Sequence, residues 1–178
     1  MAVRAARADD VPAIAALYGE VVRTGTASYE TEPPATPEMA RRFGALAEAG
    51  LPVLAAELDG RFAGYAYAGP YRARAGYRWT VEDTVYVAPG AQGRGVGRAL
   101  LARLVEDCER LGYRQMIAVI GDATNAASIA LHAALGFREV ARFPGIGRKF
   151  GRWLDGVQMQ RALGDGTASP PADERRVD

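Results

Sequence analysis

The chain has 178 residues, of which 49% are hydrophobic and 24% charged, as expected for one globular domain with or without a tail. Its net charge of +1 gives no bulk attraction to nucleic acid or to an anionic membrane. A single cysteine, Cys108, excludes an intramolecular disulfide, and a single histidine, His132, leaves almost no nitrogen or sulfur ligands for zinc. We therefore expect no metal, no nucleic acid and no membrane partner.

The sequence carries no signal for the membrane or for export. A membrane-spanning helix needs roughly 18 consecutive apolar residues, and the chain has no such stretch. Residues 1–5 lack the apolar segment of a secretory signal peptide. We therefore expect a cytoplasmic protein.

The N-terminal third predicts one strand and two helices. Residues 2–7 are typical of a strand, and Asp9 is a suitable N-cap for a helix whose apolar residues recur at helical spacing, namely Val11, Ile14, Leu17, Tyr18 and Val21. The polar residues 24–34 indicate a loop or a distorted helix. Thr36 is expected to cap a second helix, which has Pro37 at its first position and ends near Ala49.

A hairpin and a series of alternating elements follow. Val53–Leu58 and residues 62–70 flank Asp59-Gly60, a strong hairpin signal. The next predicted elements are a strand at 81–87, a helix at 98–111, the strand Gln115–Ile120, a helix at 125–135, and strands at 137–142 and 153–163. Hairpin strands followed by strands separated by helices indicate a mixed α/β sheet in one domain, residues 1–163. Residues 164–178 are rich in Pro, Asp, Glu and Arg and predict a disordered tail.

A glycine-rich turn, Gln92-Gly93-Arg94-Gly95-Val96-Gly97, lies between the predicted strand 81–87 and the predicted helix 98–111. Backbone N–H groups at a helix start have no intrahelical partner, so such a turn can hold a phosphate. The turn lacks the Gly-Lys-Ser/Thr ending of a Walker loop, and Arg98 stands where a dinucleotide fingerprint has its third glycine. A turn without a ligand is the alternative, but alternate glycines among polar neighbours favour a phosphate cradle.

Two further groups of polar residues lie in predicted secondary structure. Asn125, Ser128 and His132 share one face of the helix 125–135, which suggests that they face a ligand; a half-buried histidine bonded to a backbone carbonyl is an equal alternative. Alternation in the strand 81–87 places Asp83 among apolar residues, opposite to Glu82. Either a bulge breaks the alternation or one acid has a special environment, unless both acids are solvated on an edge strand.

The segment from Gly69 to Tyr77 places Arg72 and Arg74 among aromatic residues, next to the strand 81–87. Arginine in such a loop suits a carboxylate or phosphinate, because its guanidinium can form two parallel hydrogen bonds to an anion. Surface solubility is the alternative explanation.

Together these motifs resemble the GCN5-related N-acetyltransferase (GNAT) superfamily, with its strand, Gln92-x-x-Gly95-x-Gly97, long helix, strand and a segment ending in Leu135-Gly136-Phe137. Four segments resemble its phosphinothricin and methionine sulfoximine/sulfone N-acetyltransferase branch: Gly69-Pro70-Tyr71-Arg72-Ala73-Arg74, Trp79-Thr80-Val81-Glu82, Thr84-Val85-Tyr86-Val87 and Lys149-Phe150-Gly151-Arg152-Trp153-Leu154-Asp155. The resemblance extends to residue 163. It implies the GNAT fold, an α/β fold with a mixed, mostly antiparallel central sheet flanked by helices.

The resemblance also implies where acetyl-CoA binds. The backbone of Val85, Tyr86 and Val87 would pair with the pantetheine arm, as an exposed strand can do with an amide-containing chain. The pyrophosphate would be held at the glycine turn by Gln92, Gly93, Arg94, Gly95, Val96, Gly97 and Arg98. Asn125 and Ser128 would contact the cofactor beyond it.

By the same resemblance Glu82 is the general base, which accepts a proton from the substrate ammonium directly or through a water. A strand N–H would stabilise the negative charge that develops on the thioester oxygen. His132 falls where many superfamily members have a tyrosine that protonates the departing thiolate, and this branch has histidine there. Its role as acid, second base or orienting group stays open.

Arg72, Ala73 and Arg74 would bind the carboxylate or phosphinate of a small amino acid, with Tyr29 closing over it. Phosphinothricin, methionine sulfoximine and methionine sulfone are equally compatible with this loop. The alternatives are a GNAT acetyltransferase for another amine, such as a protein N-terminus or an aminoglycoside, and an inactive acyl-CoA-binding regulatory module. Because members of this branch are commonly homodimers, we expect a homodimer.

Overall fold

The computed structural model describes residues 1–172, which form one seven-stranded sheet and four α-helices. The strands are β1 (Ala2–Ala5), β2 (Val53–Leu58), β3 (Arg61–Pro70), β4 (Thr80–Val87), β5 (Gln115–Ile120), β6 (Arg138–Lys149) and β7 (Arg152–Ala162). The helices are α1 (Val11–Thr24), α2 (Thr36–Glu48), α3 (Val96–Arg110) and α4 (Ala126–Ala133). The strand order is β1-β2-β3-β4-β5-β7-β6. Neighbouring strands are antiparallel except β4 and β5, so the described sheet is mixed and mostly antiparallel, as predicted.

The first two helices begin slightly differently from the prediction. A single 3₁₀ turn, Ala8–Asp10, precedes α1, so the N-cap is Asp10 and not Asp9. The Asp10 carboxylate does not cap α1; it accepts the Arg7 N–H at 2.7 Å, at the start of the 3₁₀ turn, and pairs with Arg4 at 2.7 Å. The N-cap of α2 is Ala35, which places Thr36 and Pro37 inside the first turn. The predicted loop 24–34 is free of regular structure from residue 25 to residue 35.

The predicted hairpin is confirmed. Asp59 and Gly60 both have positive φ, 54° and 74°, as the two-residue turn that joins twisted antiparallel strands requires. The pairing of Leu58 with Arg61 closes the turn directly. Asp59 tolerates this conformation better than most residues with a Cβ because its short polar side chain can bond locally.

The sheet separates two apolar cores. On one face, α3 packs on β1 to β4, and its buried Leu100, Leu101 and Leu104 meet apolar side chains of β3, β4, β5 and β7. On the other face, α1 and α2 cover an aromatic cluster around the fully buried Tyr65. Odd-numbered residues of β4, such as Val81, face the α3 core, and Tyr86 faces the α1 and α2 core. The described helices include none long and apolar enough to cross a membrane.

A split opens in the sheet between β4 and β5. These two strands are parallel and pair only from Thr80 opposite Gln115 to Asp83 opposite Ala118. Beyond that point β4 continues to Val87 alongside β3 alone, while β5 continues alongside β7. We call the opening beyond Asp83 and Ala118 the split.

Strand β6 is longer than the sequence suggested, β7 has the predicted length but begins and ends one residue earlier, and residues 164–172 follow as turns. The predicted strand 137–142 continues to Lys149, because Phe143 and residues 147–149 pair with β7; the register shifts between Phe143 and Gly147, where Pro144 and Gly145 lie. In the turns, the Arg114 guanidinium donates to the Pro170 carbonyl at 3.0 Å. Residues 173–178 lie outside the described residues, so the predicted tail disorder and the domain boundary stay predictions.

Candidate active site

The glycine turn has the backbone geometry that its sequence indicated. Gly93 and Gly95 have φ of 72° and 83°, a left-handed conformation that costs glycine little, and Gly95 is the N-cap of α3. Gly97 lies inside the first helical turn and has a different role. A Cβ there would lie 3.3 Å from Leu131 and 3.4 Å from Val87, so its small size lets α3 approach β4 and α4.

Six consecutive backbone N–H groups, from Gly93 to Arg98, have no recorded acceptor among residues 1–172. The first backbone bond of the helix runs from Ala99 N–H to the Gly95 carbonyl at 3.0 Å. The side chains of Gln92, Arg94 and Arg98 are exposed around these groups, although Arg94 is paired with Asp59 of the hairpin at 2.9 Å. Unpaired donors, a helix N-terminus and nearby cations suit a diphosphate group.

The end of β4 offers a backbone edge to the split. Ala88 N–H donates to the Ala63 carbonyl at 2.9 Å, and the Thr80 carbonyl accepts Tyr71 N–H at 3.3 Å, so even-numbered residues of β4 bond to β3. Because backbone groups alternate along a strand, those of Val85 and Val87 face away from β3, toward the split. Tyr86 lies between them and directs its side chain into the aromatic cluster, 5.5 Å from the Tyr18 ring. An extended amide-containing chain can therefore pair at Val85 and Val87.

Glu82 lies on β4 where β4 still pairs with β5, opposite Ile117, and is partly buried. Burial first, and then the charge of Asp83, raise the pKa of its carboxyl against the opposing charge of Arg72, and together these effects place it at about 6. A carboxylate with this pKa is ionised at neutral pH and can still take up a proton readily, as a general base must.

Asp83 and His132 form a buried pair on the other face of β4. The register of β3 and β4 is continuous, so no bulge breaks the alternation there, and Asp83 is the acid with the special environment; it is 6% exposed on a central strand, not solvated at an edge. His132 Nε2 lies 2.9 Å from Asp83 Oδ2, and Nδ1 lies 2.7 Å from the Ser128 carbonyl. Burial lowers the pKa of His132, but the hydrogen bond and charge of Asp83 outweigh it and raise the pKa above its usual value. A doubly protonated ring satisfies both acceptors.

Asn125 and Ser128 begin α4. The Asn125 side chain caps the helix by accepting the Ser128 N–H at 3.1 Å, which is the ordinary role of asparagine at an N-cap. Ser128 Oγ lies 3.4 Å from His132 Nδ1. The helix therefore has the predicted polar face. Its polar side chains form hydrogen bonds within the helix, and His132 also bonds to Asp83.

The arginine loop between β3 and β4 is exposed. It starts beside Glu82, because Gly69 pairs with Glu82 and Pro70 with Val81. Arg72 lies over the Tyr71 ring at 5.1 Å, while Ala73 and Arg74 face solvent ahead of a 3₁₀ turn, Ala75–Tyr77. The structure thus brings Arg72 near Glu82, close enough for its charge to influence that carboxyl.

Tyr29 lies at the other side of the split. Its hydroxyl donates to the Gly121 carbonyl, directly after β5, and the side chain is 39% exposed. Asp122 and Lys149 bond to its loop, and Arg152 pairs with Asp122; the sequence did not mark these three residues as functional. The only signal for two of them was their place in the segment Lys149-Phe150-Gly151-Arg152. No group of three acidic, histidine or cysteine side chains within residues 1–172 is arranged for a metal.

Comparisons with known proteins agree with this geometry. The sequence matches the model of the acetyltransferase (GNAT) family over residues 14–137. It is 53% identical over 169 residues to phosphinothricin N-acetyltransferase of Alcaligenes faecalis, covering 95% of this chain and 86% of that protein. It is 42% identical over 172 residues to the L-methionine sulfoximine/L-methionine sulfone acetyltransferase of Salmonella typhimurium strain LT2, covering 97% and 99%. A crystal structure of a phosphinothricin acetyltransferase from Sinorhizobium meliloti in complex with AcCoA has a TM-score of 0.95 and 47% identity, covering 99% and 96%.

Proposed function

The chain belongs to the acetyltransferase (GNAT) family, and on that premise we propose that it transfers the acetyl group of acetyl-CoA to the amino group of a small amino-acid-like substrate, of the phosphinothricin or methionine sulfoximine type. Family membership and the GNAT fold confirm the resemblance read from the sequence. The observation that carries the proposal is the alignment, along one split, of a backbone edge, a run of unpaired N–H groups and a half-buried carboxylate.

The residues present fit acetyl-CoA. Val85 and Val87 offer backbone groups to the amide-containing pantetheine arm, and the N–H groups from Gly93 to Arg98 offer six donors to the pyrophosphate. Acetyl-CoA supplies an activated thioester carbonyl to the amine. Asn125 and Ser128 lie at the start of α4, which packs on β5, and would contact the cofactor, with Ser128 Oγ as the available donor.

Glu82 removes a proton from the substrate ammonium, because only the neutral amine has the lone pair that attacks the thioester. Its raised pKa, about 6, is closer to that of an amine than an ordinary carboxyl is, which makes this transfer less unfavourable. Its position on β4, three residues before Val85, keeps the base beside the strand edge that would hold the cofactor.

His132 orients Asp83 and β4 in this proposal. The geometry supports that role over those of acid or second base, since both ring nitrogens already face protein acceptors and the residue is 4% exposed. A buried imidazolium between Asp83 and the Ser128 carbonyl ties α4 to the point where β4 and β5 separate.

Arg72 and Arg74, with Ala73 between them, would bind the acid group of the substrate. The two guanidinium groups are exposed at the loop that begins beside Glu82, so an amino acid held there by its acid group would present its amine toward the base. Tyr29 would bound the substrate from the opposite side of the split.

A substrate panel tests the proposal. Release of CoA thiol is measured with phosphinothricin, methionine sulfoximine, methionine sulfone, a peptide N-terminus, an aminoglycoside and spermidine. The protein's own thiol does not interfere, because Cys108 is fully buried and burial raises its pKa to about 12. Turnover is expected with the three amino acids, each of which carries a carboxylate. Turnover confined to the peptide or aminoglycoside, or acetyl-CoA binding without any turnover, would contradict it.

We also propose that the protein works as a cytoplasmic homodimer, with neither nucleic acid nor membrane as a partner. Five large apolar side chains are exposed on β6, β7 and the turn between them: Val140, Phe143, Ile146, Phe150 and Trp153. Strand β6 is at the edge of the described sheet, where a second copy can cover these side chains. Sedimentation should give twice the monomer mass, and Trp153→Glu should shift the protein toward the monomer.

A further inference from the structure

The loop between α1 and α2 crosses the split. Residues 26–30, which we call the strap, bond to the β4 side of the sheet through Tyr18, whose hydroxyl lies 2.9 Å from Ser28 Oγ. Tyr18 in turn packs against the Tyr86 ring of β4, with ring centres 5.5 Å apart. The strap therefore starts from the half of the sheet that would hold the cofactor.

On the other side of the split, the strap bonds to groups after β5 and at the end of β6. Thr26 donates to the Asp122 carboxylate at 2.6 Å, and Asp122 is itself paired with Arg152 at 3.1 Å. Lys149 Nζ donates to the Ser28 carbonyl at 2.8 Å. These residues are far apart in the chain, so the strap joins the two halves of the sheet through tertiary contacts alone.

Two glycines, Gly121 and Gly147, make a slot for the ring of Tyr29. A Cβ at Gly147 would overlap the ring, and a Cβ at Gly121 would come within 3.2 Å of it. A Cβ at Gly156 would lie 3.7 Å from the hydroxyl. Neither Gly147 nor Gly156 has positive φ, so neither needs to be glycine for its backbone conformation. The small size of Gly147 instead allows the ring to lie directly on the end of β6, whereas a Cβ at Gly156 would press on Ile146 and not on the ring.

We propose that Lys149 is a positioning residue, which fastens the strap so that Tyr29 is a fixed wall of the acceptor site and not a lid that closes over the substrate. This inference rests on the proposed function, because it assumes that the amino acid binds between Tyr29 and the arginine loop. Lys149 is 5% exposed, and its ammonium donates to the Ser28 carbonyl and lies 5.1 Å from the centre of the Phe150 ring. A buried charge is retained only where its hydrogen bond is made, so strap and lysine hold each other in place.

Lys149→Met keeps the length of the side chain and removes the donor. We expect the KM for the amino acid to rise about tenfold, as for one lost hydrogen bond to a charged group, while the KM for acetyl-CoA and kcat stay within about twofold. Arg148→Met is the matched control, since it removes the same charge from the neighbouring, exposed position and should change neither KM. Hydrogen exchange of the strap amides should become faster in Lys149→Met and not in Arg148→Met.

A double-mutant cycle tests whether Lys149 acts through Tyr29. In a Tyr29→Ala background, Lys149→Met should change the KM for the amino acid by less than about twofold. A second variant reaches the same ring from another direction: Gly147→Ala should raise that KM in the wild type and not in the Tyr29→Ala background, because the overlap is then removed. If Lys149→Met fails to fold, Gly147→Ala and its cycle decide the question.

The inference is wrong if strap exchange is unchanged in Lys149→Met, or if Lys149→Met and Gly147→Ala raise the KM equally with and without the Tyr29 ring. Failure of the proposed function looks different. In that case the wild type acetylates none of the amino acids, while strap exchange still responds to Lys149→Met.

Discussion

The glycine turn after β4 and the strap before α2 border the same split, but they are held in place differently. The turn follows its strand and precedes its helix within twelve residues, from Val87 to Arg98, and its donors are backbone groups. The strap depends on Asp122, Lys149 and the two glycines of the slot, which are about a hundred residues away. A site for a common cofactor can be built locally from backbone, whereas the acceptor site is built from side chains that only the fold brings together.

This contrast predicts different responses to substitution. Changes in the turn should affect acetyl-CoA binding alone, changes around the strap and the arginine loop should affect the amino acid alone, and changes at Glu82, between the two regions, should affect the chemical step.

The largest effect is expected at Glu82. Glu82→Gln keeps the size of the side chain and removes its basicity, so kcat at pH 7 should fall by about 10²- to 10⁴-fold. Steady-state kinetics give this value, and calorimetry should show an unchanged Kd for acetyl-CoA. Retained turnover with Gln at this position would show that Glu82 is not the base and that the proton is not taken up at the edge of β4.

A smaller effect is expected in the turn. Gly95→Val places a β-branched residue at a φ of 83°, so the turn must change shape and misdirect its N–H groups; the Kd for acetyl-CoA should rise about ten- to a hundredfold. The matched control is Gly90→Ala, a nearby exposed glycine without positive φ, where a Cβ meets nothing within 4 Å. Equal calorimetric affinities for the two variants would contradict the cradle.

In the arginine loop we expect an effect on the amino acid alone. Arg74→Ala should raise the KM for an anionic amino acid about tenfold and leave the KM for acetyl-CoA unchanged. Arg78→Ala is a useful comparison, because it removes the same charge from the same loop, where the guanidinium lies 3.6 Å from the centre of the Trp79 ring. If both variants behave alike, the loop attracts the substrate by net charge and not by a specific contact.

The smallest effect concerns pH. Because burial raises the pKa of Glu82 to about 6, the base is lost as the pH falls through that value, and kcat/KM for the amino acid should fall with it. Asp83→Asn removes a negative charge that raises this pKa, so the acidic limb should move to lower pH by a fraction of a unit. Burial remains in that variant, so the limb should stay above the pKa of an ordinary glutamate. A pH–rate profile of the wild type and of Asp83→Asn shows whether the acidic limb moves to lower pH.

The fold could largely be predicted from the sequence because its signals are local. The Asp59-Gly60 hairpin, the strand Gln115–Ile120 and the glycine turn each depend on neighbouring residues, and the structure has them where the sequence indicated. The end of β6 was missed, since Pro144 and Gly145 are typical of a loop, and the pairing with β7 resumes only at Gly147, after a shift of register.

Within the site, residue types and spacing by themselves marked Glu82, Arg72, Arg74 and His132 as candidates, and the resemblance assigned them roles. Tertiary structure decided the rest. It paired Asp83 with His132 across 49 residues and fastened Ser28 to Lys149 across 121 residues. A hydrogen bond between distant residues leaves no periodicity or spacing in the sequence. The partner of a buried charge therefore becomes visible only when the sheet has folded and the ends of its strands meet.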